Sequence, residues 1–277
     1  MPELPEVETI RRALLPHVTG RRIVGVDVTV PALRWPLDAG ALRDACVGQT
    51  VITVSRRGKY LLVELSSNQR LVLHLGMTGA FRICPGGAPV AKHEQVIWRL
   101  VDGNSWRFLD ARRFGSVVVN PALGPDGLPE SFGALGPEPL APDFSAEYLY
   151  DVTRGRARAI KDLLMDQSTV AGIGNIYANE ALFRAGLRPR RGSRRLSRRD
   201  CVRTVTAIRD VLREAIAFGG TTISDFRTVD GSEGKFRIRL RVYGRTGEPC
   251  LRCGDAEKVK RIVQGGRSSF YCPGCQK

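Results

Sequence analysis

Four cysteines near the carboxyl end constrain the fold of this chain more than any other feature. Cys250 and Cys253 form one Cys-x-x-Cys pair, and Cys272 and Cys275 form a second pair eighteen residues further on. Four thiolates at this spacing meet the tetrahedral coordination of a structural Zn²⁺ ion and leave no open position for chemistry. Two redox-active pairs are the alternative, but the βαβ pattern expected around such pairs is missing. The sequence therefore predicts one structural zinc ion.

The residues between the two cysteine pairs predict a β-hairpin that carries the metal. Strand-forming residues over 259–263 and 268–271 flank the dipeptide Gly265-Gly266, which suits a tight turn. Arg267 directly follows this turn, where its guanidinium can reach a phosphate or a groove of a nucleic acid.

The charge of the chain favours a polyanionic partner. Its 277 residues include 43 Lys plus Arg and 28 Asp plus Glu, which gives a net charge of +15. The basic residues are dispersed, and no basic amphipathic segment has a clean apolar face. Nucleic acid is therefore favoured over a membrane surface, with a generally basic, solvated surface as the alternative.

The same composition argues against a membrane or secreted protein. The sequence has no apolar run of the roughly 18 residues that a membrane span requires, and its acidic start lacks the basic and apolar regions of a secretory signal. Cys46, Cys84 and Cys201 are scattered, which is typical of buried small hydrophobic residues in a reducing cytosol. We expect a cytoplasmic protein.

Hydrophobic periodicity makes the first half of the chain rich in strands. Val24, Val26, Val28 and Val30 alternate with other residues, as in a half-buried strand, and Asp102-Gly103 suits a hairpin turn. Many short strands behind one helix predict an α+β protein with an antiparallel β-sandwich or barrel. The other predicted strands lie near 50–55, 59–65, 70–75, 95–101, 105–109 and 115–119.

Prolines and glycines between residues 121 and 144 mark a domain boundary, because that stretch has no clear periodicity. Beyond it we expect helices, then an exposed loop over 228–235 and a basic strand over 237–242. The predicted helices span 146–153, 157–166, 174–186 and 197–217. The predicted division is a first domain over 1–130, a linker over 131–145, a helical domain over 146–236 and a finger over 237–277.

The first residues combine a helix start with an unexplained proline. Pro5 suits the first helical position, and acidic Glu6 favours the positive end of the helix dipole. A helix start does not explain Pro2. Once Met1 is removed, Pro2 is a secondary amine with a pKa of about 8, so it is substantially neutral and can attack a carbonyl-like carbon. Glu3 then lies beside that carbon as a proton carrier, and the residues alone leave catalysis and a plain helix start both open.

Three further stretches suit contacts with DNA. Residues 170–177 join two helices through glycines, so that backbone amides can approach a phosphate. Residues 56–59 carry three basic side chains at a strand start and can contact phosphates. Met77, Arg112 and Phe114 lie on loops and together suit insertion into a duplex. The alternatives are a close-packed helix corner, a solvated sheet edge and ordinary core residues.

Together these motifs resemble those of the bacterial formamidopyrimidine-DNA glycosylases, within the larger formamidopyrimidine/endonuclease VIII group. The resemblance implies an N-terminal helix with an antiparallel β-sandwich domain, a helix-two-turn-helix domain that begins near Ala159, and a C-terminal β-hairpin zinc finger. The matching segments are residues 2–8, 57–61, 74–77, 110–115, 174–177, 242–245 and the finger that ends at Gln276-Lys277.

The resemblance also implies an activity. It implies a monomeric DNA glycosylase and abasic-site lyase of base excision repair, which cuts oxidised purines from double-stranded DNA and is associated with the nucleoid. Pro2 is implied as the nucleophile and Glu3 as the acid and base, with Lys59 and Arg267 also in the catalytic set and Glu6 holding the N-terminal segment. The implied DNA contacts are His74, Met77, His93, Arg112, Phe114, Lys161, Asn175 and Arg267, of which Met77, Arg112 and Phe114 fill the space left by a flipped base.

The chain departs from the family pattern at three places. The finger is longer than usual between Cys253 and Arg267, which makes the placement of Arg267 open. Residues 92–95, with His93, replace a segment that often carries a second histidine. A loop over 229–235 is expected to close over the lesion. In this loop, Lys235 replaces an aromatic residue, and after it the pair Ile238-Arg239 replaces polar-acidic residues.

These departures leave three functions to separate. The first is excision of oxidised purines such as 8-oxoguanine and formamidopyrimidines, and the second is excision of oxidised pyrimidines, as in the endonuclease VIII branch. Leu4, where that branch usually has glycine, together with Arg112 and Phe114, favours the purines. The third is a zinc protein that binds damaged DNA without cutting it, and the pair Pro2-Glu3 argues against it.

Overall fold

A computed structural model describes residues 2–124, 129–130, 134–221 and 240–277. These residues form two compact units. Unit 1 takes its described residues from Met1–Gly133 and Phe218–Lys235, and unit 2 takes them from Ala134–Ala217 and Phe236–Lys277. The loop predicted over 228–235 lies outside the described residues. Among the described residues, no helix has the length and apolar character that a membrane crossing needs.

Unit 1 contains two antiparallel sheets of four strands among its described residues. The first sheet has the order β1-β6-β7-β5 and the second has the order β2-β3-β4-β8. The predicted α+β class with an antiparallel sandwich is confirmed. The elements are α1 (Leu4–Val18), β1 (Ile23–Val28), α2 (Ala39–Cys46), β2 (Val51–Arg57), β3 (Tyr60–Leu65), β4 (Arg70–His74), β5 (Ala80–Pro85), β6 (Glu94–Leu100), β7 (Asn104–Leu109) and β8 (Ser116–Val119).

The core of unit 1 contains residues of both sheets and of α1. Val7, Ile10 and Leu14 follow helical spacing and are fully buried, so α1 packs against β2 and β3 along this apolar face. The stacked rings of Trp98 and Trp106 lie in the same core with their centroids 4.3 Å apart. This packing holds the start of α1, and with it the N-terminal residues, in a defined position.

The periodicity of the sequence missed two elements of unit 1. Helix α2 is too short for a clear period, and its signal is local, because the side chain of Asp38 accepts a hydrogen bond from Ala41 N (3.0 Å). Strand β5 lies at the edge of its sheet, ends at Pro85 and has a mixed burial pattern. Edge strands tolerate such residues, so the alternating pattern is weak there.

Unit 2 contains four α-helices and one short 3₁₀ helix, Ser193–Arg195, among its described residues, followed by the finger. The helices are α3 (Ala146–Arg154), α4 (Ile160–Met165), α5 (Asn175–Ala185) and α6 (Arg198–Ala217). The predicted helix over 157–166 is wrong at its start. Ala159 lies extended and pairs with Gly192, where Arg191 O accepts from Ile160 N (2.8 Å) and Arg158 O accepts from Ser193 N (2.9 Å).

The strand predicted over 237–242 is also wrong where the structure describes it. Its first three residues lie outside the described residues, and residues 240–242 are not in a strand. Instead, the backbone N–H groups of Arg241, Val242 and Tyr243 all donate to the carboxylate of Glu180, each at 2.9 Å. Glu180 is fully buried in α5, and burial raises the pKa of its carboxyl while these three donors oppose that rise.

The finger has the hairpin that the sequence predicts. Strands β9 (Pro249–Cys250) and β10 (Gly254–Lys258) pair, and β11 (Lys260–Gln264) pairs with β12 (Arg267–Tyr271). Gly265 and Gly266 have φ values of 53° and 70°, the left-handed conformations that a two-residue hairpin turn requires. Arg267 is therefore the first residue of β12, paired with Gln264 and exposed. The division into four parts stays a prediction.

Candidate functional site

The four cysteines of the finger form a metal-binding cluster. Their Sγ atoms all lie within 4.8 Å of one another, with 3.8 Å between Cys250 and Cys275 and 3.5 Å between Cys253 and Cys272. A tetrahedral Zn²⁺ ion with Zn–S bonds of about 2.3 Å requires sulfur atoms about 3.8 Å apart. The arrangement and the thiol donors therefore fit one structural zinc ion, as the sequence predicts.

Backbone amides of the finger support the thiolate form. Arg252 N donates to Cys250 Sγ and Cys275 N donates to Cys272 Sγ, both at 3.4 Å. Burial opposes ionisation of Cys250, but hydrogen bonds from the backbone N–H groups of Cys253 and Arg252 and from the thiols of Cys272 and Cys253 together lower its pKa to about 7. Burial raises the pKa of Cys275. A thiolate is the form that binds zinc, and the backbone donors to Cys250 and Cys272 stabilise that form.

The zinc hairpin is held against the start of α4 and α5. Asn175 Nδ2 donates to Ser268 O (3.1 Å), and Lys161 Nζ donates to Ser269 Oγ (2.6 Å) and Ser268 O (3.2 Å). Asn175 is half-buried, whereas Lys161 is fully buried. The amine of Lys161 is therefore enclosed, and its hydrogen bonds position the hairpin that carries Arg267, while its expected contact with DNA stays a prediction.

The N-terminal residues are buried at the start of α1. Pro2 is buried, and the side chain of Glu3 is 2% exposed. Glu3 N donates to Glu6 Oε2 (2.8 Å), which satisfies one of the free amides at the helix start. The backbone of the first residues is therefore fixed, so that the nitrogen of Pro2 and the carboxyl of Glu3 occupy defined places.

Glu6 connects this N-terminal segment to a distant part of unit 1. Its Oε1 accepts from Thr221 N (2.9 Å) and Thr221 Oγ1 (3.0 Å), and its side chain is 2% exposed. Gly220 lies so close that an added Cβ would be 2.9 Å from Glu6 Oε1. Thr221 was not identified from the sequence, because it is 215 residues away from Glu6 and belongs to no motif.

Lys59 lies directly before β3, and His74 ends the neighbouring strand β4. Lys59 lies in the two-residue turn between β2 and β3 and is 7% exposed, while His74 ends β4 opposite Tyr60 of β3. His74 Nδ1 accepts from Gly76 N (3.0 Å). Burial, followed by the positive charges of Lys59 and Arg34, lowers the pKa of His74 to about 4. The ring is therefore neutral near pH 7, and its Nε2–H is the group that can donate to a phosphate.

Two loops present the predicted insertion residues, which we call the wedge: Met77, Arg112 and Phe114. Met77 is 38% exposed and Phe114 is 45% exposed, and Arg112 Cζ lies 4.7 Å from the centre of the Phe114 ring. Exposed large apolar side chains that carry a guanidinium beside them suit insertion between stacked bases. Met77 and Phe114 are not core residues, so the structure favours the insertion alternative.

Asp110 joins the two wedge loops. Its Oδ1 accepts from Thr78 Oγ1 (2.6 Å) and Arg112 N (3.3 Å), and its Oδ2 accepts from Gly115 N (2.7 Å). Asp110 is fully buried. The loops also touch directly, because a Cβ on Gly76 would lie 2.3 Å from the carbonyl carbon of Phe114. Neither Thr78 nor a positioning role for Asp110 could be read from the sequence, since both depend on this contact.

His93 lies at the edge of this arrangement. Its side chain is exposed, its φ is 71°, and its carbonyl accepts from Asp110 N (3.0 Å). The residue therefore helps to hold the loop of Arg112 through its backbone, while its imidazole faces solvent.

We expect Asp110→Asn to destabilise unit 1 and disorder the wedge loops. The asparagine amide must place an NH₂ group against either Gly115 N–H or the Thr78 hydroxyl, and a buried donor left without a partner costs about 1–3 kcal/mol. All three tryptophans of the chain lie in unit 1, so urea denaturation followed by tryptophan fluorescence measures this loss.

Asp27→Asn is the matched control for this substitution, because Asp27 is 44% exposed and pairs with Arg99 on the surface. Exposed ion pairs contribute about 0–1 kcal/mol. Equal destabilisation by the two substitutions would contradict the assigned role of Asp110.

Family models match three segments of the chain. Residues 1–117 match the formamidopyrimidine-DNA glycosylase N-terminal domain, residues 135–227 match the H2TH domain of the same family, and residues 247–277 match a zinc finger found in FPG and IleRS. Together these segments cover most of the chain and both of its units.

Individual relatives match over the full length. A formamidopyrimidine-DNA glycosylase of Thioalkalivibrio sulfidiphilus is 51% identical over 100% of both chains. The structure of a Lactococcus lactis FPG mutant in complex with Fapy-dG-containing DNA is 34% identical, with a TM-score of 0.90 over 100% of both chains. A second Lactococcus lactis structure, of wild-type FPG with DNA that contains an oxidised pyrimidine, is 33% identical with a TM-score of 0.88 over 100% of both chains.

Proposed function

This chain belongs to the formamidopyrimidine-DNA glycosylase family, which makes it a DNA glycosylase of base excision repair, and we propose that it excises oxidised purines through the secondary amine of Pro2. The observation that carries the assignment of the nucleophile is the fixed, buried start of α1. There Pro2 adjoins Glu3, whose backbone is held by Glu6. Its activity includes abasic-site lyase chemistry, a trait of the family.

The mechanism uses the lone pair of the Pro2 nitrogen. The amine attacks C1′ of the damaged nucleoside, the glycosidic bond breaks, and the base leaves with a proton. The sugar ring opens to a cationic iminium between Pro2 and C1′, which withdraws electrons and acidifies the C2′ hydrogen. Loss of that proton expels the 3′ phosphate, a second elimination expels the 5′ phosphate, and water then releases Pro2. Glu3 supplies a proton to the ring oxygen and accepts the C2′ proton.

Charged and polar side chains of both units hold the DNA. In unit 1, Lys59 and the Nε2–H of neutral His74 bind phosphates next to the damaged nucleotide, and exposed His93 contacts the duplex. In unit 2, Arg267 and the half-buried Asn175 bind phosphates, while buried Lys161 positions the hairpin. These assignments rest on the family pattern and are supported by the exposure and hydrogen bonds of each side chain.

The wedge compensates for the loss of the extruded base. Flipping a nucleotide costs a few kcal/mol, and insertion of Met77, Arg112 and Phe114 into the stack offsets that cost. The buried carboxylate of Asp110 keeps the wedge in place before DNA binds, so less conformational entropy is lost on insertion.

One structural zinc ion, held by the four cysteines, orders the finger and takes no part in the chemistry. The enzyme acts as a monomer on double-stranded DNA. We also propose a cytoplasmic location with association to the nucleoid through DNA. The residues expected to close over the lesion, 229–235, lie outside the described residues.

A comparison of two lesions tests the proposed substrate class. The test uses matched duplexes with one 8-oxoguanine or one thymine glycol, incubated with excess enzyme in single-turnover reactions. We expect faster strand cleavage at 8-oxoguanine. Separation of products with and without alkali distinguishes base removal from lyase cleavage, because an abasic site without lyase action breaks only in alkali. Faster cleavage at thymine glycol would favour the pyrimidine alternative, which the solved Lactococcus lactis complex with an oxidised pyrimidine keeps open.

A further inference from the structure

Two arginine-rich stretches of unit 2 lie side by side. The first contains Arg154, Arg156 and Arg158, and the second has seven arginines between residues 188 and 199. Their backbones are hydrogen-bonded, with Ser193 N donating to Arg158 O (2.9 Å) and Ser193 Oγ donating to Arg156 O (2.7 Å). Residues about 40 positions apart therefore form one surface. We call five of its exposed members the arginine face: Arg154, Arg194, Arg195, Arg198 and Arg199. Arg188 and Arg190 of the second stretch are also exposed, but their side chains donate to backbone carbonyls of the finger.

Nearby carboxylates pair with the arginines that surround this face, whereas most arginines of the face itself have no such ion pair among the described residues. Asp166 pairs with Arg156 and Arg158, and Asp200 pairs with Arg191 and Arg203. By contrast, no hydrogen bond or ion pair engages the side chains of Arg194, Arg195 and Arg199 within the part of the chain that the structure describes.

The remaining two members of the arginine face are fixed on an aromatic ring. The guanidinium carbons of Arg154 and Arg198 each lie 4.3 Å from the centre of the Tyr150 ring. Arg154 also donates to Leu196 O (2.6 Å). Glu147 is the acid near Arg198. A backbone hydrogen bond and a hydrogen bond with Ser145 lower the pKa of the Glu147 carboxyl, and the charge of Arg198 adds to this effect. Two like charges held on one ring repel each other, and a polyanion would relieve that repulsion.

The second arginine-rich stretch, which carries four members of the arginine face, contacts the zinc hairpin. Arg190 Nη2 donates to Val263 O (3.0 Å) of β11, and Val263 pairs with Ser268, the neighbour of Arg267 in β12. The second arginine-rich stretch therefore flanks the β11 side of the hairpin, while Arg267 lies on β12. A phosphate backbone that reaches Arg267 can continue across the hairpin to the arginine face.

We propose that the arginine face binds the phosphates of a duplex arm that continues past the zinc hairpin. This inference rests on the proposed function, because it takes Arg267 as a phosphate contact. Planar guanidinium groups suit phosphate oxygens, and dispersed arginines on one surface suit a regularly charged backbone better than a single acidic peptide. The arm contact would raise affinity for any sequence, damaged or not, since phosphates carry no base information.

The test compares the full-length protein with the triple variant Arg194→Gln, Arg195→Gln and Arg199→Gln. Binding is measured by fluorescence anisotropy on lesion-centred duplexes of about one and about three helical turns, at several salt concentrations. The salt slope is the slope of log affinity against log salt concentration. The loss of three phosphate contacts reduces its magnitude by about 2.7. For the long duplex, we therefore expect the ratio of wild-type affinity to variant affinity to fall by roughly 40-fold between 50 and 200 mM salt. On the short duplex, which lacks the arm, we expect equal binding.

A matched triple variant removes the same charge elsewhere: Arg12→Gln, Arg21→Gln and Arg99→Gln. These side chains of unit 1 are 60%, 45% and 52% exposed. We expect this control to keep the wild-type salt slope on the long duplex. Equal slopes for the wild type and the arginine-face variant would overturn the inference, and so would equal weakening on both duplexes. Strand cleavage of the short duplex tests the proposed function separately. A failure of the proposed function can therefore be distinguished from a failure of the arm contact.

Discussion

Replacement of Pro2 with glycine is expected to remove most of the covalent adduct that borohydride traps between this enzyme and an 8-oxoguanine duplex. The secondary amine of proline forms a permanently cationic iminium with C1′, whereas glycine offers a primary amine on a more mobile backbone. Loss of a nucleophile typically costs on the order of 10³-fold or more in the rate of the chemical step. Denaturing gel electrophoresis after borohydride reduction measures the adduct, and single-turnover cleavage measures the rate.

Two controls separate the amine from the helix start. Pro5→Ala changes another buried proline, at the first turn of α1, and should retain the adduct. A variant with Met1 retained keeps Pro2 as a tertiary amide, which has no lone pair to donate, and should lose it. Mass spectrometry of the intact protein must first establish that the active form begins at Pro2. A wild-type level of adduct from the Pro2→Gly variant would reject Pro2 as the nucleophile.

Removal of the zinc ion is expected to abolish tight DNA binding while unit 1 stays folded. The finger depends on metal binding by the four thiolates to fold. In finger peptides near pH 7, the binding of structural zinc contributes about 10–16 kcal/mol to the free energy of folding. Without it, β11 and β12 lose their support, and Arg267 and the hydrogen bond of Asn175 to Ser268 lose their positions. We expect a loss of DNA affinity of at least about 100-fold, given the loss of several phosphate contacts and of their fixed geometry.

The measurement uses Cys272→Ser or a chelator, with DNA anisotropy and tryptophan fluorescence recorded on the same sample. Trp35, Trp98 and Trp106 all belong to unit 1, so their emission reports that unit alone. Cys84→Ser makes the same chemical change outside the cluster and should leave DNA affinity intact. If metal-free protein bound DNA as tightly as the zinc form, the role of the finger in binding would be wrong.

Local patterns were sufficient for much of this protein. The cysteine spacing and the turn Gly265-Gly266 predicted the zinc hairpin, because both signals depend on residues close in sequence. Helical spacing and Pro5 likewise predicted α1, and alternation predicted most strands of the sandwich. Elements with weak periodicity were missed: α2 has eight residues, and β5 is an edge strand that ends at a proline.

The sequence by itself determined the four thiolates of the finger and predicted the other chemical groups of the site: the amine of Pro2, the carboxyl of Glu3 and the wedge. Only the tertiary structure decided how they are held. Glu6 binds Thr221, Asp110 binds Thr78 and Glu180 binds the amides of 241–243, while Lys161 is buried against the hairpin. Each of these contacts joins residues far apart along the chain. A hydrogen bond depends on distance and direction in space, which no local pattern records, so these partners became evident only once the chain was folded.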